Sequence, residues 1–266
     1  MPYHIVVCAG LVPDPLQSLE PVVTPGGPGL KNEAMLPAVL DPWAAHALYE
    51  AAHLASEHAG SRVWLASVAP KAKLQQVLMT VAQKASFELV AVDAPANGFT
   101  DAAACATALA EAITAIPGLD RSRLLLFGGW ESASRAAGVT LQMVGEHLRI
   151  GEQFAGVDAL SVRADGSLEI VERVEGGRHQ VSVCAGAPVA VGWATGYRRE
   201  PPNSPQVGMA NMRTLLPALQ RAGQTTLPPA GAFTRLAVPA QRRTTRIVKD
   251  QSPDAIAQEI VEWIRQ

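Results

Sequence analysis

The chain predicts an α/β protein: a doubly wound, mostly parallel sheet, then a late antiparallel meander and an extended C-terminal arm. Three observations predict it. Short, uniformly apolar runs of strand length recur through the first half of the chain, as in strands buried on both faces. Stretches of helical period separate them, which requires crossover connections and parallel pairing. After Ile150 the period changes to alternation of apolar and polar residues.

The first apolar run is Ile5–Ala9. It stops at Gly10 and enters a proline-rich loop containing Val12-Pro13-Asp14-Pro15. The stretch Pro25-Gly26-Gly27-Pro28-Gly29 is expected to hold no regular structure and to mark a long loop. The first helix, Pro42–His58, opens with Asp41 as N-cap carboxylate and Pro42 at the first helical position. Trp43, Ala47, Ala51 and Leu54 then fall on one face. Further strands are expected at Val63–Val68, Glu88–Val92 and Leu124–Phe127, and further helices at Pro70–Ala85 and Asp101–Ile116.

The meander strands are Val157–Arg163, Ser167–Val174 and His179–Cys184, with turn signals at Ala164-Asp165-Gly166 and Glu175-Gly176-Gly177. One more buried strand, Pro188–Gly192, follows. From Pro201 to Pro239 proline and glycine are frequent and periodicity is weak, so this segment is expected to wrap another surface. Ser252 as N-cap and Pro253 at N1 open a last helix with an Ile256, Ile260, Trp263, Ile264 stripe.

A chain of 266 residues with 48% hydrophobic content can bury a large core. Its net charge of −2 with 17% charged residues gives no nucleic-acid footprint. Cys8, Cys105 and Cys184 are scattered in apolar stretches and read as reduced thiols. No apolar run has the length of a membrane span and no leader precedes the first strand, so a cytoplasmic location is expected. His46, His53 and His58 share a helix at spacings that bring no two onto one metal-binding face. Gly-x-Gly-x-x-Gly and Gly-Lys-Ser/Thr motifs are absent, and the pair Gly128-Gly129 is too short to count alone.

Several stretches resemble the β subunit of the electron-transfer flavoproteins. That family has a strand ending Val-Lys-Arg-Val-Pro-Asp and an Asn-Pro-Phe-Asp-Glu turn that opens a helix; here 9–14 and 41–51 match them. Its loop after the fourth strand, Gly-Lys-Gln-Ala-Ile-Asp-Asp-Asp-Cys-Asn-Gln-Thr-Gly-Gln-Met, is similar to Gly129–Met143, with Thr140, Gln142 and Met143 shared. Arg199-Glu200-Pro201 and Gly208 match Asn-Glu-Pro and Gly-Ile-Met, and 238–243 resembles Pro-Pro-Arg-Arg. The order of these stretches spans nearly the whole chain.

The resemblance implies a Rossmann-like sheet of the adenine nucleotide-binding type. Residues 1–200 would form the nucleotide-binding domain, with the antiparallel insertion at about 151–187, and 201–266 the partner-wrapping arm and C-terminal helix. It also implies a function without covalent chemistry of its own: one wall of an FAD site shared with an α-type subunit, and a pocket for AMP or a second FAD. Electrons would pass from a flavin dehydrogenase to a downstream acceptor. The alternatives are a stand-alone nucleotide-binding regulatory protein and a degenerate subunit kept for assembly.

The pocket residues implied are Cys8, Asp41, Pro42, Trp43, Ala44, Val68, Gly129, Ser132, Ser134, Arg135, Gly138, Val139 and Thr140. Backbone N–H groups of the loop, with Ser132, Ser134 and Thr140, can hold phosphate, and Arg135 can supply a fixed cation where the family has carboxylates. Arg135 can equally be a solvated loop residue. Trp43 replaces the family's flavin-side phenylalanine, and has a second reading as a core aromatic on its helix. Cys8 stands at the position lining the adenine pocket and reads as a packed thiol. At the family's dehydrogenase-recognition leucine the chain has Gln206, or Val207 if the register shifts.

Overall fold

Strand β1 (His4–Cys8) is buried at every position, and it is hydrogen-bonded on both sides. In the computed structural model, which describes residues 1–24, 27–134, 138–227, 237, 240 and 245–265, β6 (Arg62–Ala69) and β8 (Leu124–Gly129) flank it in parallel. Ile5 stands opposite Val63 on one side and Leu125 on the other. Outside β6 lies β7 (Glu88–Asp93), and outside β8 lies β12 (Val189–Trp193), both parallel to their neighbours. The sheet continues through β9 (Glu152–Val162), β10 (Leu168–Val174) and β11 (Arg178–Cys184), giving eight strands in the order β11-β10-β9-β12-β8-β1-β6-β7. The expected parallel sheet and late meander are both present.

Alternate side chains of the strands enter two cores. Ile5, Val7, Leu65, Phe127 and Val191 pack beneath α1 (Pro42–Glu57) and α2 (Lys71–Val81). Val6, Ala66, Leu126 and Ala190 pack beneath α3 (Ala102–Thr114) and α4 (Thr140–His147). The buried face of α1 is Ala44, Ala47, Leu48, Ala51 and Leu54. Trp43 is not among the buried residues of this face and is partly buried. Small alanines on that face let the helix approach the sheet closely.

Strand β9 serves two partners. Its first residues pair in parallel with β12, and from Val157 onward it pairs antiparallel with β10. Gly156, at φ +69°, is the extra residue where the register with β12 shifts, and a Cβ there would also come 3.2 Å from the Trp130 ring.

Two expectations need correction. The first concerns 25–29: Gly27–Leu30 is a strand (β4) paired with Pro21–Thr24 (β3), while 25 and 26 lie outside the described residues. Pro28 is tolerated because an isolated two-stranded ribbon has free edges, where a missing N–H leaves no partner unmet. A second small pair, β2 (Leu11–Pro13) with β5 (Ala38–Leu40), brackets this excursion.

The second concerns the segment after 201. Pro205–Arg221 is a regular helix, α5, with Ser204 as N-cap and Pro217 inside it. Its buried face, Gly208, Asn211, Leu215 and Leu219, packs within the same chain. The Asn211 amide donates to the carbonyls of Ala82 (2.7 Å) and Ala85 (2.6 Å), which closes the free end of α2. Proline and glycine obscured the pattern: Gly208 packs closely on Gln83, whose Cγ a Cβ would approach to 3.0 Å. The compact unit holding the sheet is Met1–Thr234 rather than 1–200, and Arg235–Gln266 forms a second unit. There α6 (Pro253–Ile264) begins at Ser252, whose hydroxyl accepts from Ala255 N, as the sequence predicts.

The meander is tied to the end of β12 by Asp158, which is only 2% exposed. It takes two hydrogen bonds from Arg173 (2.7 and 3.1 Å), contacts His179 Nε2 at 3.0 Å and accepts from Thr195 at 3.2 Å. Burial alone would raise the Asp158 carboxyl, but the hydrogen bonds and the Arg173 charge outweigh it and hold it below its ordinary 3.8.

Two outcomes are expected. Asn211→Ala should cost about 2–4 kcal/mol in urea denaturation, because it strands two buried carbonyls; a change within about 0.5 kcal/mol would show that α5 does not close α2. Asp158→Asn should cost about 1–3 kcal/mol at neutral pH. A carboxyl lowered in the folded state stabilises above its unfolded value, so the difference from wild type should shrink as pH falls below about 4. A pH-independent difference would contradict the ionic role.

Candidate functional site

Strand order reverses at β1: the chain runs outward through β6 and β7, then returns to β8 on the other side. The helices that follow β1 and β8 therefore leave opposite faces, and a crevice must open beyond the strands' carboxyl ends. A cleft enclosing about 1150 Å³, counting space open to solvent, lies there. Its floor is Cys8-Ala9-Gly10, Val68-Ala69-Pro70 and Gly128-Gly129 at the ends of β1, β6 and β8. The walls are Asp41 and Ala44 of the α1 start, Lys73 of α2, Cys105 and Leu109 of α3, and Thr140 and Leu141 of α4. Leu11–Pro13, Glu33, Leu36 and Ala38 close one side, and Ala96, Asn97, Gly98, Glu131, Ser132, Ser134 and Gly138 rim the other.

Asp41 organises the rim. Its carboxylate accepts from Trp43 N at 3.2 Å within the helix cap, and from Ser132 Oγ (2.9 Å) and Ala133 N (3.0 Å) of the loop after β8. Ser132 Oγ lies 3.0 Å from Ser134 Oγ, and Ser134 in turn faces Gly98 across the mouth. Burial pushes the Asp41 carboxyl up, with these hydrogen bonds opposing it. Since the helix cap takes one oxygen and the loop the other, Asp41 positions the loop rather than meeting a ligand.

Glycine is required where strand meets helix. A Cβ on Gly129 would stand 2.6 Å from Trp43 Cβ and 2.9 Å from the Glu131 carbonyl, so α1 can start this close to β8 only over a bare backbone. A Cβ on Gly138 would run into the Trp130 carbonyl.

Of the residues expected in the pocket, Cys8, Asp41, Ala44, Val68, Gly129, Ser132, Ser134, Gly138 and Thr140 line this one cleft. Pro42, Trp43 and Val139 do not. Pro42 and Trp43 belong to the same helix start but lie beside the cleft, and Val139 is 44% exposed at the start of α4. Arg135 and most of 238–243 lie outside the described residues. Burial pushes the Cys8 thiol up to about 12, so it is a neutral packing group. The histidines of α1 stay apart: His53 contacts the Arg199 carbonyl at 3.0 Å and His58 packs edge-on against Tyr3.

Among the charged and amide side chains of the lining, sequence reasoning missed Lys73, Glu33, Asn97 and Glu131. They reach the cleft from α2, from the excursion between β4 and β5, from the loop after β7 and from the loop after β8. The available signal was general: residues just past the ends of β6 and β7 belong to the crevice of any such sheet.

No protein-family model matches the chain, and no curated protein sequence matches it. The site therefore stands on its own geometry: an apolar floor, a hydrogen-bonding rim of hydroxyls and amides, and a small number of charges. Such a lining suits a small organic ligand with one apolar face.

Asp41→Ala should cost about 1–3 kcal/mol, since it removes a helix cap and both loop tethers. It should also speed hydrogen exchange at the Ala133 amide. Ser132→Ala should cost no more than about 1 kcal/mol. Equal effects of the two, measured by urea denaturation, would mean that the carboxylate is not the organising group.

Proposed function

We propose that this chain is a β-type subunit of an electron-transfer flavoprotein-like heterodimer and holds an adenine nucleotide in the cleft beyond β1 and β8. What supports the reading most is convergence. The stretches on which the resemblance rests, 9–14, 41–51 and 129–143, are far apart in sequence, yet each contributes lining residues to the same cleft. A planar base fits the apolar floor of Cys8, Val68, Leu109 and Leu141, and the rim of Ser132, Ser134 and Thr140 offers hydroxyls to ribose or phosphate. In this reading the partly buried Trp43, outside the cleft but against Gly129, faces an FAD held mainly by the α-type subunit. The heterodimer would carry electrons from a flavin dehydrogenase to a further acceptor.

One observation favours a second reading, a stand-alone nucleotide-binding regulatory protein. Within the segment expected to wrap a partner, Pro205–Arg221 instead forms α5 and packs into this chain's own core.

Calorimetric titration of the purified chain with AMP and with FAD tests the nucleotide site. Saturable binding at one nucleotide per chain is expected, weakened at least about tenfold by Ser134→Trp, which fills the exposed mouth without touching the core. No saturable binding of either compound would overturn the site. Co-expression with an α-type flavoprotein subunit from the same genome separates the two readings. A yellow heterodimer supports the electron carrier, and a colourless chain that binds AMP by itself supports the regulator.

A further inference from the structure

The charges of the cleft are unevenly placed. Among the described residues its lining carries three carboxylates, Glu33, Asp41 and Glu131, and a single lysine or arginine, Lys73. Asp41 and Glu131 stand on the β8 side. Asp41 is committed to the loop, and Glu131 makes no side-chain hydrogen bond or ion pair among the described residues. An anionic group placed at that end would meet both at short range.

Lys73 stands at the opposite end, in the first turn of α2, just past Val68-Ala69-Pro70 at the end of β6. Its ammonium lies 3.7 Å from Glu33 Oε1, with the two side chains 37% and 23% exposed. That is about 1 Å longer than a charge-assisted hydrogen bond, so the pair is a loose neutralising contact. Glu33 itself belongs to a short turn (Glu33–Met35) in the excursion between β4 and β5, and its other carboxylate oxygen takes only a long contact, 3.4 Å, from Leu30 N. The neighbouring charges are otherwise engaged. Lys71 points its ammonium at the Gln220 carbonyl (3.2 Å), and Asp93 accepts from Lys71 N (2.9 Å).

We propose that Lys73 is the anion anchor of this cleft and Glu33 its resident counter-ion, which the phosphate of a bound nucleotide displaces. The proposal rests on the nucleotide reading given above and deepens it. It assigns the anionic end of the ligand to the β6–α2 corner, away from the loop after β8, and leaves base and ribose to the β8 side. There the Glu131 carboxylate, without a side-chain partner among the described residues, accepts from hydroxyls instead of opposing a phosphate. Glu33 then sets selectivity: it lowers affinity for every ligand that must take Lys73 from it, and leaves uncharged ligands unaffected.

Calorimetry with AMP and adenosine on wild type, Lys73→Met and Glu33→Gln tests this. Lys73→Met should weaken AMP at least about tenfold and leave adenosine within about twofold, because only the phosphate uses the ammonium. Glu33→Gln should tighten AMP several-fold, again without changing adenosine. AMP affinity in wild type should fall with added salt, and that dependence should flatten in Lys73→Met. If wild type binds AMP but Lys73→Met binds it equally well, the anchor is elsewhere and this inference fails while the nucleotide site stands. If wild type binds neither AMP nor adenosine, both fall together.

Discussion

Much of the molecule follows from the double pairing of β1. A strand buried on both faces and bonded on both edges has no solvent for its backbone or its side chains, so it must be short, apolar and central. His-Ile-Val-Val-Cys meets that demand, and even His4 is satisfied, its Nδ1 accepting from Asp120 N at 2.8 Å. Parallel neighbours on both sides require crossovers on both faces. Those crossovers separate the helices at the carboxyl ends of β1 and β8, and this separation is the cleft. The site is thus a consequence of strand order before any particular side chain is considered.

Side chains then decide how the cleft is finished. The loop after β8 has no regular structure of its own, and Asp41 supplies it with two anchors from the start of α1. A buried carboxylate is an expensive anchor in electrostatic terms, as its upward shift shows. It is retained where one group must satisfy a helix cap, a hydroxyl and a backbone amide at once, which no neutral acceptor with a single oxygen can do. One residue therefore couples the start of α1 to the loop after β8.

The strands of the large sheet and the first three helices were legible in the sequence because burial on both faces leaves continuous apolar runs, the meander shows its alternation, and Asp41-Pro42 and Ser252-Pro253 mark helix starts by capping chemistry. Helix α5 was not legible. Its buried face contains Gly208 and Asn211, chosen for close approach to Gln83 and for closing α2, and neither is apolar. A pattern read from hydrophobicity cannot see a face built on fit and hydrogen bonding. The β3–β4 ribbon was hidden for a related reason, since its glycines and Pro28 advertise a turn while the pairing depends only on backbone. At the site, residues carried by a resembling stretch were named in advance, whereas Lys73 and Glu33 come from stretches that had no motif to point at them.

The packing of α5 also bears on how this chain would meet another. A subunit that folds only on association leaves part of its sheet bare until the partner arrives. Here α5 covers the end of α2 and the outer part of β7, and Thr225 N donates to the Asp93 carbonyl (2.7 Å) beyond that edge. That side of the sheet is finished internally. The opposite edge is β11, where Val181 and Val183 are 60% and 50% exposed, and the excursion presents Leu16, Val23 and Met35 at 91%, 75% and 84%. Of these apolar groups, Val23, Val181 and Val183 lie on strands already paired within their own ribbon or sheet, whereas Leu16 and Met35 lie in turns. Any association through the strand valines would join preformed surfaces with little backbone left to order, so its cost would fall on side-chain freedom and its strength would depend on shape more than on coupled folding.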